Sequence, residues 1–114
     1  MKHQRLGPSL RVALWAGIFL PTLAVTEPPD FHIVIQDHQF HPAELVVPAG
    51  QKLKLTVENR DATPEEFESY DLNREKIVPG HGRIVVFVGP LKPGKYGYFG
   101  EFNPATARGW LIAR

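Results

Sequence analysis

The sequence predicts an all-β domain, a small antiparallel sandwich, on three observations. Apolar residues alternate with polar ones at period 2 in several short runs. Gly and Pro punctuate the intervals between those runs. No stretch sustains an apolar pattern of period 3.6 long enough for a helix. Six or seven short strands at this spacing suit a sandwich or barrel, and the pattern leaves the topology open.

The elements follow in order. Phe31, Ile33 and Ile35 alternate with His32, Val34 and Gln36, a strand with one buried face. Glu44 to Val47 is a second short run, closed by the turn signal Pro48-Ala49-Gly50. Lys52, Lys54 and Thr56 alternate with Leu53, Leu55 and Val57. Arg83 to Val88 is β-branched and aromatic, a more deeply buried strand. Tyr96 to Phe99 and Trp110 to Ala113 complete the set.

Ahead of this domain stands a leader. Lys2, Arg5 and Arg11 make a positive start, Val12 to Leu20 is apolar, and small residues follow near Thr22 and Ala24. We expect a signal peptide over residues 1–24, a linker over 25–30 (it includes Glu27-Pro28-Pro29-Asp30), and one domain over 31–114. The apolar run is shorter than the about 20 residues of a membrane span, so no span is expected after cleavage. An uncleaved anchor is the alternative. The expected location is the periplasm.

The leader holds 3 of the 13 basic side chains and none of the 12 acidic ones, so the remainder carries a net charge of −2. No basic patch points to nucleic acid as partner. There are no cysteines among the 114 residues. That excludes disulfides, zinc ribbons, iron–sulfur clusters, thiol nucleophiles and a blue-copper thiolate. No Ser-His-Asp pattern, HExxH, P-loop or dinucleotide fingerprint is present, so no catalytic residue is assigned.

The chemistry-bearing feature is acidic. Asp61, Glu65, Glu66, Glu68, Asp71 and Glu75 are half of the 12 carboxylates, within one short stretch. Crowded carboxylates raise one another's pKa unless they share a cation. The plain reading is a solvated loop. Against it, Phe67, Tyr70 and Leu72 are interleaved, which suits a packed strand. On a strand Glu66 and Glu68 share one face, with Glu65 and Phe67 on the other. Two carboxylates on one face suit Fe(III), Mn(II) or Cu(II). Glu101 lies between aromatics in Phe99-Gly100-Glu101-Phe102 and needs Arg108, Arg74, a metal or solvent. His38 and His41 flank Phe40 without a metal-pair spacing.

Several segments also carry a resemblance: His38-Gln39-Phe40-His41-Pro42, Val47-Pro48-Ala49-Gly50, Glu66-Phe67-Glu68-Ser69, Leu72-Asn73-Arg74-Glu75-Lys76, Lys92-Pro93-Gly94-Lys95-Tyr96 and the run from Phe99 to Gly109. Over residues 31–113 the chain resembles cupredoxin-like domains. Among them it looks like the cysteine-poor branch of bacterial periplasmic iron-uptake systems, the EfeO N-terminal-domain and FtrB type. The resemblance implies a cupredoxin-like Greek-key sandwich with a metal site at one end. It implies that the blue-copper cysteine and methionine positions fall at Phe99 and Ala107, so that site is lost. It implies a copper or iron ion held instead by Glu66 and Glu101, with His38, Glu68 and Asp71 nearby. Asn103 stands where the family often has histidine. The implied role is an accessory that assists oxidation or delivery of ferrous iron, with a periplasmic iron-binding protein and a membrane iron permease as partners. The alternative is a metal-free interaction module docking a periplasmic or membrane partner.

Overall fold

The computed structural model describes residues 17–21 and 27–114. Of the expected leader, residues 1–16 and 22–24 lie outside the described residues, as do 25 and 26 of the linker. Among the described residues no helix is long and apolar enough to cross a membrane.

Among the described residues nine strands form: β1 (Asp30–Gln36), β2 (Gln39–His41), β3 (Glu44–Val47), β4 (Leu53–Asn59), β5 (Glu65–Ser69), β6 (Arg74–Val78), β7 (Arg83–Val88), β8 (Gly94–Gly100) and β9 (Arg108–Ala113). They make a four-stranded sheet in the order β2-β1-β4-β7 and a five-stranded sheet in the order β3-β9-β8-β5-β6. The all-β sandwich is as expected, but the sheets are mixed rather than antiparallel. β1 runs parallel to β4, with Ile33 opposite Val57, and β3 runs parallel to β9, with Leu45 opposite Leu111. The cause is a sheet switch. After the β1–β2 hairpin the chain crosses to the other sheet for β3 and returns for β4, which then lies beside β1 in the same direction. Period-2 alternation says which face is buried and is silent on strand direction.

The core fills the space between the sheets. Ile33, Ile35, Leu53, Leu55 and Val57 come from one side, Val47, Phe67, Val78, Tyr98 and Leu111 from the other, all at most 2% exposed. Phe40 stands edge-on to Tyr98 and to Phe67, with centroids 5.1 and 6.1 Å apart. These are the favourable edge-to-face arrangements of aromatic quadrupoles. Tyr98 fits because its cross-strand partner is Gly109; a Cβ there would collide with the Tyr98 ring. On one flank the edge strands β6 and β7 face each other across the sandwich. Arg74 Nε donates to the carbonyl of Phe87 at 3.0 Å, and Lys76 Nζ to that of Val85 at 3.3 Å.

Candidate metal centre

The buried ring of Phe67 decides which way β5 faces. With Phe67 in the core, Glu66 and Glu68 point outward from the five-stranded sheet. Pairing then brings other carboxylates alongside. Glu68 lies opposite Glu75 of β6. At the end of β8 the N–H of Glu101 donates to the carbonyl of Glu66 at 3.0 Å. Glu66, Glu68, Glu75 and Glu101 thus each offer an oxygen, all within 4.8 Å of one another.

Among the described residues no cationic side chain pairs with this concentration of charge. The ion pairs among the described residues join His32 and Lys54 to Asp30, His38 to Asp61, and Arg60 to Glu58. Arg74 and Lys76 are turned to β7, and Arg108 Nε donates to the carbonyl of Pro104 at 2.7 Å. So neither Arg74 nor Arg108 neutralises Glu66 or Glu101. Glu66 is only 9% exposed, and Glu68 Oε2 is buried without a hydrogen-bond partner. Protons fill the gap. A hydrogen bond shared with Glu75, burial, and the charge of Glu101 push the Glu66 carboxyl up to about 7. A hydrogen bond shared with Glu101, with burial, raises Glu68, and the charge of Glu68 raises the Tyr70 phenol.

Two expected ligands lie elsewhere. His38 occupies a two-residue hairpin turn with Asp37, both in the left-handed region at φ 57° and 53°. Asp61 accepts both their N–H groups, at 2.9 Å from Asp37 and 3.0 Å from His38, and lies 3.6 Å from the His38 ring. The His38 N–H first, then the Asp37 N–H and the charges of His38 and His81, hold the Asp61 carboxyl low despite some burial. Asp71 is taken up by the β5–β6 turn, where it accepts the N–H of Gly97 at 2.7 Å. Neither belongs to the four-carboxylate group. Glu75 does, and the sequence reading had not assigned it. The signal was a hairpin closing over Tyr70–Asn73, which puts positions 68 and 75 face to face.

Inside the same end of the sandwich lies a second arrangement. Glu65 is 1% exposed. Its Oε1 accepts the N–H of Glu66 at 3.0 Å and of Phe102 at 2.8 Å, and its Oε2 accepts the Asn103 amide at 2.8 Å. Gly100 and Ala107 complete the wall; a Cβ on Gly100 would sit 2.7 Å from that of Ala107 and 2.5 Å from the Glu65 carboxyl carbon. Phe99 faces the other way, against the ring of Tyr70 at 5.4 Å. The inward position beside Ala107 is therefore Gly100. This shifts by one residue the cysteine position expected at Phe99, because alternation along β8 sends Phe99 outward.

The model of the cupredoxin-like domain family matches residues 9–113. The chain belongs to that family. An uncharacterized protein of Rickettsia prowazekii is 51% identical over 80 residues, 70% of this chain and 64% of the relative, so the chain spans less than two thirds of that relative's length. Three solved structures share the cupredoxin fold. Auracyanin A of Chloroflexus aurantiacus has a TM-score of 0.65 at 16% identity, covering 75% of this chain and 99% of its own. Amicyanin of Paracoccus versutus has 0.60 at 16%, covering 75% and 81%. A purple cupredoxin of Nitrosopumilus maritimus has 0.57 at 20%, covering 73% and 98%. At these identities the likeness shows the fold alone.

A blue-copper centre does not fit this cupredoxin. There is no cysteine, the inward positions are Gly100 and Ala107, and the Asn103 amide is already bonded to Glu65. The outer carboxylates fit a different ion. Four oxygen donors without nitrogen or sulfur suit a hard cation.

Proposed function

We propose that this cupredoxin-like domain holds iron as cargo on the outer face of its five-stranded sheet. It would act as an exported accessory that passes the ion to a membrane permease in iron uptake. Glu66, Glu68, Glu75 and Glu101 are the ligands. The observation that carries the reading is the Glu66 carboxylate, 9% exposed, beside three other carboxylates and, among the described residues, without a cationic side chain paired to it. A cation answers the repulsion that protons otherwise relieve. The all-oxygen set favours iron over copper, since His38 is engaged with Asp61. The resemblance of the Glu66–Ser69 and Leu72–Lys76 segments to iron-uptake cupredoxins supports the pathway.

Calorimetric titration with anaerobic Fe(II), Mn(II) and Cu(II) tests this. One equivalent bound at micromolar affinity or tighter, and lost in Glu66→Gln/Glu101→Gln, is the expected result. Weak, non-stoichiometric uptake that survives the double substitution refutes it. That outcome would favour a metal-free docking module, for which the exposed aromatics Tyr70 (78%) and Trp110 (45%) beside the acidic face are the supporting feature.

A further inference from the structure

The most buried carboxylate at this end of the sandwich is outside the proposed ligand set. Glu65 faces inward, is 1% exposed, and is not one of the four clustered outer carboxylates. Its three hydrogen bonds reach two separate pieces of chain. One is the N–H of Glu66, on its own strand. The others are the N–H of Phe102 and the side chain of Asn103, in the loop between β8 and β9. Each backbone partner is diagnostic: Glu66 is itself an outer carboxylate, and Phe102 directly follows Glu101. The loop holds itself through turns, with Thr106 and Ala107 N–H groups bonded to Asn103 O at 3.2 and 2.9 Å. Among the described residues, Glu65 of β5 and Arg108 of β9 are the side chains from outside the loop that bond it, and Glu65 is the one that ties it to the strand of Glu66.

We infer that Glu65 is the positioning residue of the acidic centre, a buried clasp that sets Glu101 beside Glu66. This rests on the cation-site reading above. A buried carboxylate survives only if its lone pairs are met, and the N–H groups of Glu66 and Phe102 and the Asn103 amide meet them. One oxygen accepts from both backbones, and so reinforces the direct bond from the Glu101 N–H to the Glu66 carbonyl. Gly100 makes the clasp possible, since any side chain there would strike the Glu65 carboxyl group. Glu75 is held independently, by the β5–β6 pairing. The clasp therefore adds to the hold on the loop that carries Glu101, where the Glu101 N–H also meets the Glu66 carbonyl, and it makes no bond to the strand of Glu75. That asymmetry separates positioning from a general loss of structure.

The test uses Mn(II) as a redox-silent probe on wild type, Glu65→Ala and Glu65→Gln. Loss of a supporting contact behind a ligand weakens metal binding about 10- to 100-fold, and Glu65→Ala is expected in that range. Glu65→Gln keeps one carbonyl oxygen for both N–H groups, and a flip of Asn103 meets its amide, so affinity stays within roughly threefold of wild type. In the Glu65→Ala background, Glu101→Gln costs less than it does in wild type, whereas Glu75→Gln costs what it costs in wild type. Equal losses in Glu65→Ala and Glu65→Gln would mean that only charge matters, and would overturn the inference. So would an undiminished effect of Glu101→Gln. If Glu65→Ala does not fold, Asn103→Ala removes one of the two loop-side bonds and is expected to weaken dependence on Glu101 in part. Metal-free amide exchange gives an independent arm: residues 101–107 lose protection in Glu65→Ala and keep it in Glu65→Gln. If wild type binds no Mn(II), the cation reading falls. The exchange result then decides the clasp, with unchanged protection in Glu65→Ala overturning it.

Discussion

Acidification should release the cation from the outer carboxylates, and Glu66 sets the pH at which it does so. The Glu66 carboxyl titrates at about 7 in the folded protein, against an ordinary value of 4.5. A cation must displace that proton. With one proton displaced at this midpoint, apparent affinity falls about tenfold from pH 8 to pH 6, and about a hundredfold from pH 8 to pH 5. The raised carboxyl of Glu68 adds to the fall in the same direction. The metal-free protein has the opposite dependence. A group whose folded pKa is raised contributes stability that is full below the unfolded value, and that stability is lost as pH rises through the folded value. The metal-free melting temperature should therefore drop between pH 5 and pH 8. Glu66→Gln removes this contribution, so its melting curve is flatter over that window and at pH 8 is no lower than wild type. Calorimetry with Mn(II) at pH 6, in buffers of different ionisation enthalpy, counts the proton released. Binding that is flat from pH 6 to pH 8, or a metal-free melting temperature that rises across the window, refutes the reasoning.

Other outcomes follow from the same geometry. Phe67→Ala removes a fully buried ring from the Phe40–Phe67–Tyr98 group and should cost about 3–5 kcal/mol in urea unfolding; under 1 kcal/mol would contradict the packing. Asp61→Ala strips the acceptor from the Asp37 and His38 N–H groups and should cost about 1–3 kcal/mol. It should leave Mn(II) affinity unchanged, and a tenfold loss would place His38 or Asp61 back in the metal site. Copper-loaded protein should show only weak visible absorption. An intense blue thiolate band is impossible without cysteine, and its appearance would refute the site description.

Alternation in Ile33-Val34-Ile35 and Leu53-Lys54-Leu55 made the main strands legible, and Phe67 between two acids made the outer face of β5 legible. What stayed hidden was pairing. Nothing in Glu68 or Glu75 taken singly says that a hairpin sets them opposite each other, so Glu75 went unassigned. β2, with three residues, is too short to show a period. His38 misled because a turn with two left-handed residues is usually written with Gly or Asn, and here it is Asp37-His38, held by an Asp61 more than 20 positions away. The parallel pairs β1–β4 and β3–β9 depend on a sheet switch that no local pattern encodes. Glu101 stood out by its place between Phe99 and Phe102, where a carboxylate needs a partner, and the resemblance of its loop paired it with Glu66.

The two long cations on β6 have a consequence beyond the fold of a single molecule. β7 ends its sheet, and a sheet edge displays a row of carbonyl acceptors on which a foreign strand can form a ladder. Arg74 and Lys76 occupy the acceptors of Phe87 and Val85 and place positive charge along that border. A strand approaching from another copy would have to displace both and desolvate them. Val85-Val86-Phe87-Val88 has the β-branched and aromatic composition that such ladders favour, and the two side chains disfavour edge-to-edge association with copies of the molecule.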